Sequence, residues 1–157
     1  MILRNTLGEE FSLKQMTDKV IEFVKEDKDQ LYRLMVGSDS LYRRDETCFS
    51  TVIVVHRVGK GARFFYNKSY VNHDIDIYSK ILKETRDSIE IMQVIKASNI
   101  PEYITKDNME IHIDAGANGA SKKVMDQCLG YAKGMGYNAY LKPDACAATH
   151  VADKYTH

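Results

Sequence analysis

The stretch LMVGSDSLYRR, residues 34–44, is an apolar run that gives way at Gly37 to two serines and an aspartate. The apolar residues are typical of a buried strand, and the glycine and small polar residues are typical of a strand that is ending. Asp39 is therefore predicted at the end of a buried strand. In sheets that contain parallel strands, functional side chains gather beyond such carboxyl ends.

The segments around this strand predict one helix before it and alternating elements after it. Ser12 is the expected N-cap of an amphipathic helix over residues 13–28. Residues rich in Val, Ile, Phe and Tyr predict three strands joined by short connections, at 31–37, 48–58 and 62–71. Helical spacing then follows over residues 75–98, and a strand at 109–116, a helix at 121–136, a strand at 137–143 and a final helix at 145–157 complete the chain.

This order predicts one α/β domain over residues 1–157, with residues 1–30 forming an N-terminal helical extension packed on it. The three hairpin-connected strands are expected to be antiparallel, and the later alternation of strand and helix predicts parallel crossovers. The sheet is therefore expected to be mixed, with five strands and helices on both faces. Gly59, Lys60 and Gly61 are interpreted as a tight hairpin turn, rather than as a phosphate-binding loop.

Composition narrows the class of protein without identifying a partner. The chain is 44% hydrophobic and 28% charged, with 22 basic and 22 acidic residues, so neither disorder nor membrane insertion is indicated. Three cysteines without CxxC spacing argue against a disulfide framework and a structural zinc site, and are typical of a reducing cytoplasm. No export signal and no apolar run of about 20 residues is recognised. We expect a cytoplasmic protein with no membrane partner.

Asp114 repeats the pattern of Asp39, because an apolar strand again ends at a carboxylate before a glycine-rich loop. If the two strands are adjacent and parallel, their carboxylates converge and repel each other unless a proton or a cation lies between them. A divalent metal such as Mg²⁺ binds carboxylate oxygens and leaves coordination positions for water and phosphate. A second ion about 3.5–4 Å away would suit phosphodiester cleavage.

Two further acids and one histidine are candidates for the same site. Glu84 borders the apolar face of the helix over residues 75–98, and Asp153 shares a face with His150 in the predicted closing helix. His150 is a candidate proton donor to the leaving oxygen. The ordinary alternatives stay open, because strand-end acids also make turns and caps, and helical acids are commonly solvated.

Basic residues near these acids are candidates for contact with nucleic acid. Ser121, Lys122 and Lys123 lie at a predicted helix start, where free amide groups favour a phosphate, and Lys142 follows the last strand. A loop followed by an N-cap serine explains the first three equally well. The glycine spacing of this loop does not match a nucleotide-binding P-loop, which argues against a small-molecule phosphate enzyme.

The strings VGSDS, KETRDSIEI, HIDAGANG and KPDACAATHVADKYT resemble the YkuK-like family of predicted ribonuclease H-like nucleases over nearly the whole chain. The resemblance implies a ribonuclease H-like three-layer fold. It also implies an Asp-Glu-Asp-Asp site for two Mg²⁺ or Mn²⁺ ions. In this site Asp39 bridges the two ions, Glu84 and Asp114 each bind one of them, and Asp153 completes the coordination shell of the second ion. Cleavage on this fold generally leaves a 5′-phosphate and a 3′-hydroxyl.

The sequence is accordingly interpreted as a metal-dependent nuclease acting on nucleic acid. The alternative is a non-catalytic domain on the same fold that binds nucleic acid or a protein. The presence of acids at all four positions favours the enzyme, because degenerate relatives tend to lose metal ligands. RNA, DNA, hybrid and branched substrates, and the number of chains that assemble, all stay open.

Overall fold

A computed structural model describes residues 1–113 and 119–141 of the chain. The strands and helices follow one another in the predicted order, and two very short strands precede them. The strands are β1 (Leu3–Arg4), β2 (Glu10–Phe11), β3 (Tyr32–Arg43), β4 (Glu46–Arg57), β5 (Ala62–Val71), β6 (Met109–Ile113) and β7 (Asn138–Leu141). The helices are α1 (Leu13–Glu26), α2 (Ile77–Ala97) and α3 (Gly119–Gly134).

The strands form one mixed sheet in the order β2-β1-β5-β4-β3-β6-β7. Strands β3, β4 and β5 are antiparallel neighbours, whereas β6 is parallel to β3, and β7 is parallel to β6. The predicted α/β fold with a mixed sheet flanked by helices is confirmed. The predicted strand number of five is wrong, because the described residues contribute seven. Strands β1 and β2 have two residues each, which is too short for a period-2 pattern to show in a sequence.

The two faces of the sheet carry different cores. Leu34 and Val36 of β3 and Ile53 of β4 lie on the face that we call the first face, within one large cluster that includes residues of α1, α2 and α3. Met35 of β3 and Val52 and Val54 of β4 point to the opposite side, the second face, where Phe64 and Tyr66 pack against them. All three described helices therefore pack on the first face. The predicted closing helix over 145–157 lies outside the described residues.

Local chemistry explains where these elements begin and turn. The Ser12 hydroxyl accepts a hydrogen bond from the Gln15 amide, and the Gln15 side chain accepts one from the Ser12 amide, which is a capping box at the start of α1. The predicted β4–β5 turn is confirmed, with Gly59 at φ +78° and Gly61 at φ +97°. These left-handed conformations favour glycine, and Lys60 there pairs with Asp27 at 3.7 Å.

The hairpin between β3 and β4 turns through two residues that are not glycine. Arg44 and Asp45 connect the last cross-strand pair, Arg43 and Glu46, and both have positive φ, at 54° and 64°. Two consecutive residues of this kind match the right-handed twist of the flanking strands. The hairpin is therefore tight, and its turn leaves Arg44 exposed.

Within residues 1–113 and 119–141, no helix combines the length and the apolar character that crossing a bilayer would require.

Candidate functional site

The candidate site begins where β3 extends past its parallel neighbour. Strand β6 ends at Ile113, which pairs with Ser38, whereas β3 continues to Arg43. Asp39 is therefore the first residue of β3 beyond the last described pair. The residue that follows Ile113 in the sequence is Asp114, which lies outside the described residues. The flank of β3 from Asp39 onward has no described strand on the β6 side.

Asp39 belongs to the second face of the sheet. The pairing of β3 with β4 is continuous from Tyr32 to Arg43, so side chains alternate between the faces without a bulge, and Asp39 shares a face with Met35. It is partly buried. Directly across the sheet, Asp39 pairs with Ser50 of β4, and Ser50 pairs with Lys68 of β5. One row across three strands thus contains a carboxylate, a hydroxyl and an ammonium group.

Glu84 lies on the first face of the sheet and contacts β3 next to Asp39, at Ser40. Its side chain is buried at 8% exposure on α2, and the Ser40 hydroxyl donates a hydrogen bond of 2.6 Å to its Oε1. One helical turn further along α2, the Ser88 hydroxyl lies 2.7 Å from the Ser38 hydroxyl. Both contacts can form at once because the four-residue step from Glu84 to Ser88 along α2 and the two-residue step from Ser40 to Ser38 along β3 each span about 6–7 Å.

These contacts place two of the predicted ligands near the part of β3 that lies beyond its last described pair with β6, but on opposite faces. The prediction that Asp39 lies at the end of its strand is wrong, because β3 continues to Arg43 through pairing with β4. Among the described residues, no three His, Cys, Asp or Glu side chains are grouped so that they could hold a metal ion. The described residues contain only Asp39 and Glu84 of the four predicted ligands. Asp114, Asp153, His150 and Lys142 lie outside the described residues.

Two buried polar atoms near Asp39 have no hydrogen-bond partner among the residues that the structure describes. The Ser50 side chain is fully buried at 0% exposure, and His112, which pairs with Gly37 one row below Asp39, is 3% exposed. Ser50 Oγ and His112 Nδ1 are both unsatisfied. Such groups are uncommon in native proteins, and a bound water or ion commonly completes them. Carboxylate and hydroxyl oxygens such as those of Asp39 and Ser50 are donors that fit Mg²⁺ or Mn²⁺.

A charged network on the second face was not predicted from the sequence. Glu110 of β6 is 7% exposed and binds Arg33 of β3 through one oxygen, and its Oε2 lies 2.9 Å from His112 Nε2. Burial alone would raise the pKa of Glu110, but the hydrogen bonds from His112 and Arg33 outweigh burial and hold that pKa below its usual range. Because an ionised carboxylate only accepts, His112 Nε2 donates this hydrogen bond.

The predicted anion-binding helix start is part of α3. Ser121, Lys122 and Lys123 lie in its first turn, after Gly119. The Ser121 side chain is buried, at 2% exposure, whereas both lysines are exposed. The lysines line a shallow surface depression with Asp126 and Gln127.

Comparison with known proteins supports the resemblance in the sequence. The model of a family described as ribonuclease H-like matches residues 15–157. The chain is also similar to the uncharacterized protein YkuK of Bacillus subtilis (strain 168), with 28% identity over 158 residues, which cover 94% of this chain and 92% of the relative. The predicted family is confirmed. The name of the relative records no activity.

We expect the Ser38 hydroxyl to be important for stability, because it bonds both Ser88 and Thr51 in a buried position. Ser38→Ala should lower the free energy of unfolding by about 2 kcal/mol, since two buried hydroxyls each lose a partner. Ser69→Ala, in a partly exposed serine of β5 outside this network, should change it by less than about 0.5 kcal/mol. Denaturant titration measures both values, and equal effects would contradict the network.

Glu110→Gln should lower the free energy of unfolding at neutral pH by about 1–3 kcal/mol, because Arg33 and His112 lose a charged acceptor. The pKa of Glu110 is lowered by folding, so its stabilisation is complete above the ordinary glutamate pKa and is lost as the pH falls through the lowered value. The difference from the native protein should therefore shrink on acidification.

Unfolding titrations over a pH series check this expectation. Glu10→Gln is the control, since Glu10 pairs with Arg4 at 2.9 Å on an exposed surface and should contribute less than about 0.5 kcal/mol. A difference that widens as the pH falls would contradict the assignment to Glu110.

Proposed function

The chain belongs to the ribonuclease H-like family, and from this premise we propose that it hydrolyses phosphodiester bonds of nucleic acid with two divalent metal ions. Asp39, Glu84, Asp114 and Asp153 are the proposed ligands of Mg²⁺ or Mn²⁺. One observation carries the proposal. The last described pair of the parallel register between β3 and β6 is Ser38 with Ile113, and in the sequence each of these residues is followed by an aspartate.

If that register continues by one residue, Asp39 and Asp114 face each other on adjacent parallel strands. Two carboxylates on neighbouring strands repel strongly unless a cation lies between them. The unsatisfied Ser50 Oγ in the same row as Asp39 supports a bound hydrated ion at this position. Metal binding would thus stabilise the folded protein as well as prepare it for reaction.

Glu84 lies on the opposite face of the sheet from Asp39. Up to Ser38, the paired backbones of β3 and β6 separate the first face from the second. From Asp39 onward, no described strand pairs with the β6 side of β3, and we propose that Glu84 joins the site at this level. The hydrogen bond from Ser40 orients the Glu84 carboxylate at this level of the sheet. We therefore assign the proposed metal site to the flank of β3, rather than to either face alone.

When bound, two divalent ions activate a water for attack at phosphorus and stabilise the leaving oxygen. The protein residues have separate tasks. Asp39 and Glu84 hold their carboxylates on a rigid strand and a rigid helix, which limits the rearrangement needed for binding. His150 is the proposed donor of a proton to the leaving 3′-oxygen.

The central test compares the native protein with Asp39→Asn and Asp114→Asn on labelled single-stranded, duplex, hybrid and branched substrates, with Mg²⁺ or Mn²⁺. We expect each substitution to reduce cleavage by about 10²-fold or more, because a lost ligand removes several kcal/mol of transition-state stabilisation. Asp18→Asn is the matched control, since Asp18 is exposed on α1. It should cleave like the native protein.

A binding measurement separates the proposed enzyme from a non-catalytic domain. Mn²⁺ should raise the Tm of the native protein and of Asp18→Asn, but raise that of Asp39→Asn much less. Cleavage that survives both Asn substitutions, or persists in a chelator, would reject the proposed site. Tight binding of nucleic acid by a native protein that cuts none of the four substrates would support the non-catalytic alternative.

A further inference from the structure

The second face carries a cleft at the end of the sheet where β3 and β4 turn. Its volume is about 170 Å³, and it lies between the ends of β3, β4 and β5. Leu41 and Cys48 are its partly buried members. The other residues that line it are Arg43, Arg44, Glu46, Lys68 and Tyr70. We call it the hairpin cleft.

The hairpin cleft is continuous with the position of Asp39. On β3, the residues at Asp39, Leu41 and Arg43 alternate onto the same face, and Leu41 pairs with Cys48, which pairs with Tyr70. Lys68 lies in the same row as Asp39. The four residue-to-residue steps from Asp39 to Arg43 span about 13 Å of strand, which is comparable with a few nucleotides of a nucleic-acid strand.

The described residues that line the hairpin cleft carry more positive than negative charge. Arg43, Arg44 and Lys68 supply three positive charges, against the single carboxylate of Glu46. None of the three cations forms an ion pair with another residue of the described ranges. The chain as a whole has a formal net charge of zero, so this excess is local. An anion with several charges along its length is the complementary ligand.

Tyr70 supplies a second kind of contact. Its side chain is 57% exposed, and Tyr70 pairs with Cys48 across the sheet. The exposure leaves ring surface accessible to solvent. Exposed aromatic rings beside basic grooves bind single strands by stacking on unpaired bases. Bases of a duplex are already paired and stacked, and so they do not offer a free face to such a ring.

We propose that the hairpin cleft binds single-stranded nucleic acid, with Arg43, Arg44 and Lys68 on backbone phosphates and Tyr70 stacked on a base. The bound strand then continues along the second face toward Asp39. This inference deepens the proposed nuclease function, on which the direction of the strand rests. Binding at the cleft itself is independent of metal and of cleavage.

The charge contacts are tested by the affinity of the full-length protein for a labelled single-stranded oligonucleotide of about 12 nucleotides, in a chelator, over a range of salt concentrations. Loss of two phosphate contacts in Arg43→Gln/Lys68→Gln should reduce the magnitude of the slope of log Kobs against log salt by roughly 1.4. The control Lys14→Gln/Lys19→Gln removes the same charge from α1 and should leave the slope unchanged.

The stacking contact is tested by Tyr70→Leu against Tyr70→Phe. Leucine should weaken single-strand binding roughly tenfold, whereas phenylalanine retains the ring and should bind within about twofold of the native protein. Duplex of the same sequence should bind more weakly than the single strand. The Tm of each variant shows whether it is folded. If Arg43→Gln disturbs the fold, Arg43→Lys is used as a second variant: it keeps the positive charge, and its salt slope should match that of the native protein.

The results separate the cleft from the nuclease. An unchanged salt slope, equal loss in the α1 control, or competition by polyglutamate as strong as that by the oligonucleotide would overturn the cleft assignment. Cleavage that depends on Asp39 but is indifferent to Arg43→Gln/Lys68→Gln rejects the cleft and keeps the nuclease. Binding through the cleft without metal-dependent cleavage rejects the nuclease and keeps the cleft.

Discussion

The regular alternation of side chains along β3 is the constraint on which the candidate site depends. Even-numbered residues such as Ser38 and Ser40 contact α2, so Glu84 and Ser88 are fixed on the first face. Odd-numbered residues such as Asp39 and Arg43 belong to the second face. A shift of one residue in register would exchange the two sets and bury Asp39 under α2. The uninterrupted pairing with β4 from Tyr32 to Arg43 prevents that shift.

Much of the fold could be predicted because most of its elements are long enough to show a period. Helix α2 has 21 residues, and its apolar face predicted it over residues 75–98, against the observed Ile77–Ala97. The capping residue Ser12 and the glycines of the β4–β5 turn act locally, so their sequence signals were sufficient. Strands β1 and β2 were missed because pairing, rather than any pattern of their own, creates them: β1 pairs with the edge of β5, and β2 pairs with β1.

The site was less predictable, because its contacts join residues far apart in the chain. Asp39 and Glu84 could be nominated from their positions on a strand and a helix, but the face that each one uses follows from packing. The Ser40 hydroxyl that holds Glu84 has no local signal, since 44 positions separate the two residues. Glu110 did have such a signal, because Glu110, His112 and Asp114 alternate in a stretch of sequence that is otherwise apolar. That alternation indicates a buried polar row beside the predicted ligands.

The turn at Arg44 and Asp45 shows how local backbone energy and surface chemistry are balanced in this molecule. Glycine and asparagine adopt positive φ readily, whereas arginine at φ 54° costs about 1 kcal/mol or more. If stability alone were selected, we would expect a smaller residue, such as glycine or asparagine, at this position of the turn. An arginine at this position is expected when an interaction at the protein surface, rather than folding stability, determines the choice of residue. Replacing Arg44 with glycine or asparagine to stabilise the hairpin would therefore remove one of the three cations that line the hairpin cleft.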